Sequence, residues 1–263
     1  MQEMIAGLSD MPIVVLGAMA SLLAGLATGV GALPVLFTRG ISQRTQDVML
    51  GFGAGVMLAA TSFSLIIPAI EAGGAGVSGA MIVACGMGLG AVFLWLADRF
   101  LPHEHFIKGP EGADRSNLRR VWLFIIAITL HNFPEGLAVG VGFGGGDVQN
   151  GTSLAIGIGL QNMPEGLVVA LALLTERYTK AQALGIALLT GLVEPVGGLF
   201  GAGLVSVAQP ILPWGLAFAA GAMLFVVSDE IIPESHRKGF EKEATFGVMI
   251  GFIVMMVLDV TLG

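Results

Sequence analysis

Long apolar segments constrain this chain more than any other feature of its sequence. A helix that crosses a bilayer needs about 20 predominantly apolar residues. No polar stretch between the apolar segments is long enough for a soluble domain, and only 12% of the residues are charged. We therefore predict an all-α polytopic membrane protein in which residues 1–263 form one integral membrane domain. Eight transmembrane helices are predicted, near residues 11–37, 46–71, 77–100, 120–144, 152–174, 181–207, 213–235 and 245–262.

The positions of the basic residues predict how these helices are oriented. All 12 lysines and arginines lie in or beside alternate links, those after the first, third, fifth and seventh segments. Short cytoplasmic loops carry the excess of Lys and Arg. The first ten residues contain neither, so the first segment lacks the charged start of a signal peptide. We predict a cytoplasmic loop at about 101–118, both termini outside the cytoplasm, and a location in the cell membrane, either plasma or inner.

The net charge and the single cysteine exclude several other functions. A net charge of −7 opposes binding to nucleic-acid phosphates, and no basic patch is interleaved with aromatic residues. Cys85 is the only cysteine, so the chain has neither an internal disulfide nor a cysteine-built structural zinc site. We therefore expect the protein to interact with the lipid bilayer and not with nucleic acid.

Two related polar motifs interrupt the fourth and fifth apolar segments, HNFPEG at residues 131–136 and QNMPEG at residues 161–166. Ionisable side chains inside a membrane are costly and by default mark a functional site. Residues four apart share a helix face, so the first residue and the glutamate of each motif converge, with the asparagine beside them. Six side chains are candidates for one site: His131, Asn132, Glu135, Gln161, Asn162 and Glu165.

These side chains are of the types that bind metals. Imidazole, carboxylate and amide groups are ligands for transition metals when they converge on one point. Pro134 and Pro164 cannot donate to the carbonyls of Leu130 and Leu160, which adds a second supply of oxygen ligands. Free backbone groups are tolerated in a membrane only where protein buries them or where they line a wet cavity. We therefore predict irregular helices and a water-accessible pocket at the motifs.

Other polar residues in the apolar segments have two interpretations each. Glu194 in the sixth segment is a candidate metal ligand, or a neutral, hydrogen-bonded strut. Met57 in the second segment offers a thioether ligand, or simply fills space between helices. Asp229, Glu230 and Glu234 lie toward the cytoplasmic end of the seventh segment, where they either line an exit path or lie at the membrane interface.

An internal repeat indicates an architecture of two related halves. Residues 54–58 read AGVML and lead to Ile-Ile-Pro at 66–68, while residues 220–224 read AGAML and lead to Ile-Ile-Pro at 231–233. With eight spans, these copies cross the membrane in opposite directions, as do the two proline motifs. Such inverted repeats are typical of transporters whose site lies at the midplane, where the helices break. The sequence therefore predicts an inverted repeat.

With these motifs the chain resembles the ZIP (ZRT/IRT-like) divalent metal transporters, especially the bacterial branch typified by GufA. The resemblance implies eight helices in a three-plus-two-plus-three arrangement, outward-facing termini and a homodimer. It also implies a metal centre, often with two adjacent ions. His131, Glu135, Gln161 and Glu165 would hold the transported metal, with Met57 as an additional ligand. Asn132, Asn162 and Glu194 would complete a neighbouring site, bridged to the first by Glu135 and Glu165.

The chain departs from the family pattern at positions that bear on selectivity. Gln161 stands where many eukaryotic relatives have a second histidine, and Asn162 stands where some bacterial relatives have aspartate. The choice of Zn²⁺ over Fe²⁺, Mn²⁺, Co²⁺ or Cd²⁺ therefore stays open. The family's histidine-rich cytoplasmic loop is reduced to His103-Glu104-His105, which either picks up metal transiently or is a solvated turn.

The resemblance implies transport of Zn²⁺, or a related dication, into the cytoplasm by alternating access around a midplane site. Two other functions are weighed against it. An intramembrane metal-dependent hydrolase would need an open metal position, and the usual His-Glu-x-x-His spacing is absent. A metal sensor or receptor would need a soluble signalling domain. We therefore expect a transporter and no enzyme.

Overall fold

The structure is a computed structural model that describes residues 11–38, 41–74, 76–100, 103–105, 109–111, 120–175 and 178–262. Both chain ends and most of the predicted cytoplasmic loop at 101–118 lie outside these residues. Within that loop, strand β1 (His103–His105) pairs antiparallel with β2 (Gly109–Glu111). Every described element of the apolar segments is helical, as predicted.

The helices follow the apolar segments closely. Some of the described helices begin with side-chain caps, which satisfy backbone N–H groups at a helix start. The Ser42 hydroxyl accepts from the Thr45 N–H, and Thr179 forms a capping box with Gln182. The α-helices are α1 (Ile13–Ala32), α2 (Gln43–Ala59), α3 (Ile67–Gly73), α4 (Val77–Phe100), α5 (Arg120–Gly144), α6 (Val148–Thr175), α7 (Lys180–Gly191), α8 (Glu194–Val207), α9 (Leu212–Val226), α10 (Ile232–Ser235) and α11 (Glu241–Leu262).

Seven helices among the described residues are long and apolar enough to cross a membrane. They are Ile13–Leu36, Gln43–Gly73, Val77–Ala97, Val148–Leu174, Lys180–Val207, Gln209–Ser235 and Glu241–Leu262. The remaining long helix, α5, has 25 residues, which corresponds to about 37 Å at 1.5 Å per residue. The polytopic membrane fold is therefore confirmed, and the count of eight spans stays a prediction.

The helices fall into two groups according to their packing. In the first, α5 packs along α8, α1 packs along α6, and α7 packs against both α1 and α6. We call these five helices the motif group, because α5 and α6 carry the proline motifs. In the second, α2 packs along α11 and α4 packs along α9. We call α2, α3, α4, α9, α10 and α11 the repeat group, because they carry the two AGxML repeats.

The helix irregularities do not lie where the sequence predicted them. Both α5 and α6 continue as α-helix through Pro134 and Pro164, so the irregular helices predicted at the motifs are not found there. The sixth apolar segment is interrupted instead, by a turn at residues 192–193 between α7 and α8. Burial among neighbouring helices explains why the prolines are tolerated, because packed protein can compensate for a lost hydrogen bond.

Two π-helical segments, Ala60–Ile66 and Val227–Ile231, mark the two copies of the repeat. Each segment ends at the first isoleucine of an Ile-Ile-Pro sequence. The proline explains the local widening, because it removes the N–H that would bind the carbonyl four residues earlier. For Pro68 that carbonyl belongs to Ser64, and Asn150 Nδ2 donates to it at 3.2 Å. The irregularity therefore recurs at matching positions of the repeat.

Candidate metal centre

The two proline motifs lie side by side, because α5 packs against α6. Gln161 Nε2 donates to Glu135 Oε1 at 2.6 Å, so the amide of the second motif contacts the carboxylate of the first. The glycine that ends each motif has no side chain and therefore lets the backbone of another helix approach closely. A Cβ at Gly136 would collide with the carbonyl of Glu194, and one at Gly166 would collide with the carbonyl of Thr28. The motif glycines thus bring α8 and α1 to the centre.

A second carboxylate–amide pair lies within the motif group. Asn162 Nδ2 donates to Glu194 Oε1 at 2.6 Å and to the backbone carbonyl of Ala24 at 2.9 Å. Glu194 is the first residue of α8, directly after the turn that interrupts the sixth segment. Pro195 fits in the first turn of α8, where its missing N–H has no helical acceptor. The break in the sixth segment therefore positions Glu194 beside the second motif.

A third polar contact joins the two helix groups, and the sequence did not single it out. His131 Nδ1 lies 2.8 Å from Glu230 Oε2, and both side chains are buried. Glu230 belongs to the second π-helical segment, whereas Asp229 and Glu234 are only partly buried. The repeat held a signal, because Leu65 stands at the matching position of the first copy, three residues before its proline. A carboxylate where the repeat has leucine points to a role of its own.

Met57 is fully buried in α2, and its counterpart in the repeat, Met223, is 1% exposed. Burial of both copies agrees with a space-filling role. The α2 helix nevertheless reaches the second motif, since a Cβ built at Gly53 would lie 3.8 Å from Cβ of Gln161. Gly53 is one turn from Met57, so the thioether lies on a helix that packs against the centre. Ligation by Met57 stays a prediction.

The centre is closed to solvent, in contrast to the predicted water-accessible pocket. None of the eight candidate ligands is more than 5% exposed. Several of their buried oxygens nevertheless lack a hydrogen-bond partner, although buried polar atoms nearly always have one. These are Asn132 Oδ1, Glu135 Oε2, Gln161 Oε1, Asn162 Oδ1 and Glu194 Oε2. Oxygen atoms of this kind are suited to bind a cation.

The charges of the centre also favour a cation. Glu135 interacts electrostatically with Glu165 and Glu194, and Glu165 interacts with His131 and Glu230. Carboxylates gathered in a buried site repel one another unless protons or a cation offset their charge. No group of three His, Cys, Asp or Glu side chains within the described ranges is already arranged around one point. A dication held by three such side chains would therefore need some of them to move from their present positions.

A helical membrane bundle with a buried centre of carboxylate, amide and imidazole groups has the organisation of an ion transporter. Comparison with known proteins places the chain within that class. Residues 107–259 match the model of the family described as ZIP Zinc transporter. The chain belongs to this ZIP family, and the resemblance inferred from the two proline motifs is confirmed.

Individual relatives cover nearly the whole chain. It is 53% identical to Zinc transporter GufA of Myxococcus xanthus over 251 residues, which cover 94% of this chain and 99% of GufA. It is 48% identical to Zinc transporter ZIPB of Bordetella bronchiseptica, with 90% of this chain and 78% of ZIPB covered. Human Zinc transporter ZIP11 is 38% identical, with 91% and 94% covered. The relatives are named transporters, which confirms the prediction of a non-enzyme and supports neither the hydrolase nor the sensor.

Proposed function

We propose that this protein carries Zn²⁺, or a related divalent transition metal, across the cell membrane into the cytoplasm. The observation that carries the proposal is the set of buried, unpaired oxygens where the two proline motifs meet. They have the chemistry to replace part of the hydration shell of a dication. The names of the relatives GufA and ZIPB make Zn²⁺ the first substrate to test. Fe²⁺, Mn²⁺, Co²⁺ and Cd²⁺ are the competitors.

The eight candidate ligands form two adjacent positions in this proposal. His131, Glu135, Gln161 and Glu165 hold the transported ion, with Met57 as an additional ligand. Asn132, Asn162 and Glu194 form the neighbouring position, and the two motif glutamates bridge both. The hydrogen bonds Gln161–Glu135 and Asn162–Glu194 support this division, because each links one amide to one carboxylate. When the ion binds, those carboxylate oxygens turn from the amides to the metal.

Alternating access follows from a relative movement of the motif group and the repeat group. The centre lies at the boundary between them, since His131 belongs to α5 and Glu230 follows α9. Breaking the His131–Glu230 contact frees the imidazole for the metal and loosens the boundary at the same time. Reforming the contact after release returns the empty centre to a closed state. One side chain pair would thereby couple occupancy of the site to the position of the groups.

The packing supports eight spans built as an inverted repeat. In an inverted repeat each helix has a counterpart in the other half of the chain. Here the counterparts are α1 and α7–α8, α2 and α9, α4 and α11, and α5 and α6. Swapping every helix for its counterpart preserves the main packing contacts. It converts the α4–α9 pair into α11–α2 and the α5–α8 pair into α6–α1, and all four are observed. We further propose a single domain spanning 1–263, with both termini outside the cytoplasm. A homodimer in the plasma or inner membrane completes the assignment.

Metal uptake into sealed proteoliposomes tests this function directly. Purified protein is reconstituted with a zinc-sensitive dye inside the vesicles, and Zn²⁺ is added outside. Saturable uptake above that of protein-free vesicles is expected, and Glu135→Gln provides the matched inactive control. High-affinity binding of Zn²⁺ by the detergent-solubilised protein without any flux would refute transport and leave a sensor or receptor. Competition by the other four ions then ranks selectivity.

A further inference from the structure

A large apolar cavity lies at the boundary between the motif group and the repeat group. Its volume is about 480 Å³, and it is lined by α1 and α6 on one side and by α2 and α11 on the other. We call it the boundary crevice. Leu160, Met163, Pro164 and Leu167 form its α6 wall, and Phe52 and Ile250 form part of the opposite wall. It is distinct from the metal centre, whose side chains do not line it.

The α6 wall is the apolar back of the second proline motif. Leu160, Met163, Pro164 and Leu167 follow the spacing i, i+3, i+4, i+7, which places them on one helix face. Gln161 and Glu165 lie on the neighbouring face, toward the metal centre. Whatever occupies the crevice therefore presses on the same helix turn that carries two candidate metal ligands.

The crevice opens onto the surface that faces the bilayer. Val30 and Ile250 line it and are 53% and 54% exposed, and both belong to membrane-spanning helices. Water is not expected to fill the boundary crevice, because a buried water needs two to four polar partners and the lining side chains are apolar. A dry cavity of about 150 Å³ already accommodates benzene, so a space three times larger in contact with lipid does not stay empty. The hydrocarbon of the surrounding lipid is therefore the occupant that this apolar lining favours.

We propose that the boundary crevice is a binding site for a lipid acyl chain, and that an occupant restrains relative movement of the two helix groups. Its volume lies within the range of about 300–1,000 Å³ that is typical of ligand pockets. The restraint follows from the walls, since one acyl chain contacts α1 and α6 of one group and α2 and α11 of the other. The regulatory part of this proposal rests on the proposed transport function, whereas the lipid-binding part does not.

A smaller cavity of about 270 Å³ occupies the related position between α4, α5, α8 and α9. The helix exchange described above converts the walls of one cavity into those of the other. Phe200, Trp214 and Phe218 line the smaller cavity, and their bulk accounts for the reduced space. The chain thus supplies an internal comparison, because the smaller cavity should retain an acyl chain less well.

Photolabelling by lipid tests the binding site independently of transport. The full-length protein is reconstituted with a phosphatidylcholine that carries a diazirine midway along one acyl chain, irradiated, and mapped by mass spectrometry. We expect labelling at Met163, Leu167 and Ile250 several times stronger than at Ile253 and Val257. The last two are exposed on α11 outside the crevice and report ordinary surface lipid. Equal labelling along α11 would mean surface lipid only and would overturn the proposal.

A second copy of this chain is the other occupant that the experiment must detect. Ile250→Cys, in a variant whose Cys85 is replaced by Ala, would then form cross-links between chains under mild oxidation. Such cross-links together with absent lipid labelling would overturn the proposal. Lipid labelling without cross-links is the result that we expect.

A crevice-filling substitution tests the restraint. Ile250→Trp projects a larger side chain into the crevice, and Ile253→Trp adds the same ring three residues away on the same helix. We expect Ile250→Trp to reduce lipid labelling several-fold and zinc uptake about tenfold, with zinc affinity unchanged, whereas Ile253→Trp changes none of these. Unchanged uptake with lost labelling would overturn the restraint. Failure of uptake in the unmodified protein would instead refute the transport function and leave the lipid result standing.

Discussion

The two polar contacts of Glu194 and His131 differ in what they hold together. Glu194 pairs with Asn162, which also binds the carbonyl of Ala24, so three helices of the motif group are joined to one another. His131 pairs with Glu230 and thereby joins the motif group to the repeat group. The first contact therefore lies within one helix group, and the second crosses the boundary that opens in the proposed alternating access. Residues that are equally buried in one centre are therefore expected to serve different steps, namely holding the ion and controlling access to it.

The largest effect is expected at Glu135, the carboxylate of the first motif, which accepts from Gln161 and belongs to neither of these two contacts. Glu135→Gln removes a charge that interacts with Glu165 and Glu194, while its size and the packing around Gly136 are kept. We expect zinc affinity to fall by more than about 100-fold, beyond the 10- to 100-fold typical of residues that only support a ligand. Isothermal titration calorimetry on folded, solubilised protein measures this change. Glu165→Gln should behave alike, and full uptake in both variants would place the metal site elsewhere.

Removal of the contact within the motif group should weaken binding less and cost stability as well. Asn162→Ala leaves Glu194 without its amide donor in a buried site, which typically costs about 1–3 kcal/mol. We expect a lower melting temperature and a decrease in affinity of roughly 10-fold. Glu194→Gln is the matched variant, because it keeps a group that can bond with Asn162 and should leave stability nearly unchanged. Equal loss of affinity in Glu194→Gln and Glu135→Gln would refute the division into two positions.

Removal of the contact across the boundary should affect transport more than binding. Glu230→Gln keeps an acceptor for His131 but loses the charge, so the closed state is less well held. We expect zinc affinity within about threefold of the unmodified protein, since Glu230 is not assigned as a ligand of the transported ion. The uptake rate should change several times more than the affinity. Glu234→Gln, in the same segment but only partly buried, is the control and should leave both unchanged.

The pH dependence of binding separates His131 as a ligand from His131 as a strut. An imidazole binds a metal in its neutral form, and the pKa of imidazole in water is about 6.5. Protons therefore compete with the metal as the pH falls from about 7 to 5. Apparent affinity should decrease across that range. His131→Gln should weaken binding near neutral pH and flatten part of the slope, while the carboxylates preserve the rest. An unchanged affinity and profile would show that imidazole does not bind the ion.

The smallest functional effect is expected from variants that report only on which side of the membrane each link between helices lies. Single cysteines at Gln209 or Asp147, with Cys85 replaced by Ala, should react with an impermeant thiol reagent outside intact cells. A cysteine at Lys242 should be protected until the membrane is permeabilised. Zinc uptake should remain normal in all of them. The opposite labelling pattern would reverse the orientation derived from the basic residues, and Glu230 would then face the outer side.

Local sequence was sufficient for the membrane fold and for most of the candidate site. Hydropathy and helix length set which segments lie in the bilayer, because both depend on residues adjacent along the chain. The helical period placed His131 with Glu135 and Gln161 with Glu165, and the repeated Asn-x-Pro-Glu-Gly pattern identified the family. The helices at Pro134 and Pro164 were predicted to be irregular and are regular, since buried neighbours compensate for the missing donors.

Only the tertiary structure decided which side chains meet across helices. The pairing of His131 with Glu230 joins residues 99 positions apart, and no periodicity along one helix specifies it. The turn at residues 192–193, which positions Glu194 beside Asn162, depends on how closely Gly136 and Gly25 let neighbouring helices approach. In a membrane, packing rather than hydrophobicity decides such approaches, because an apolar side chain is accommodated as well by lipid as by other apolar side chains. The sequence alone thus determined the helical membrane fold and the candidate side chains, and helix packing decided which of them pair.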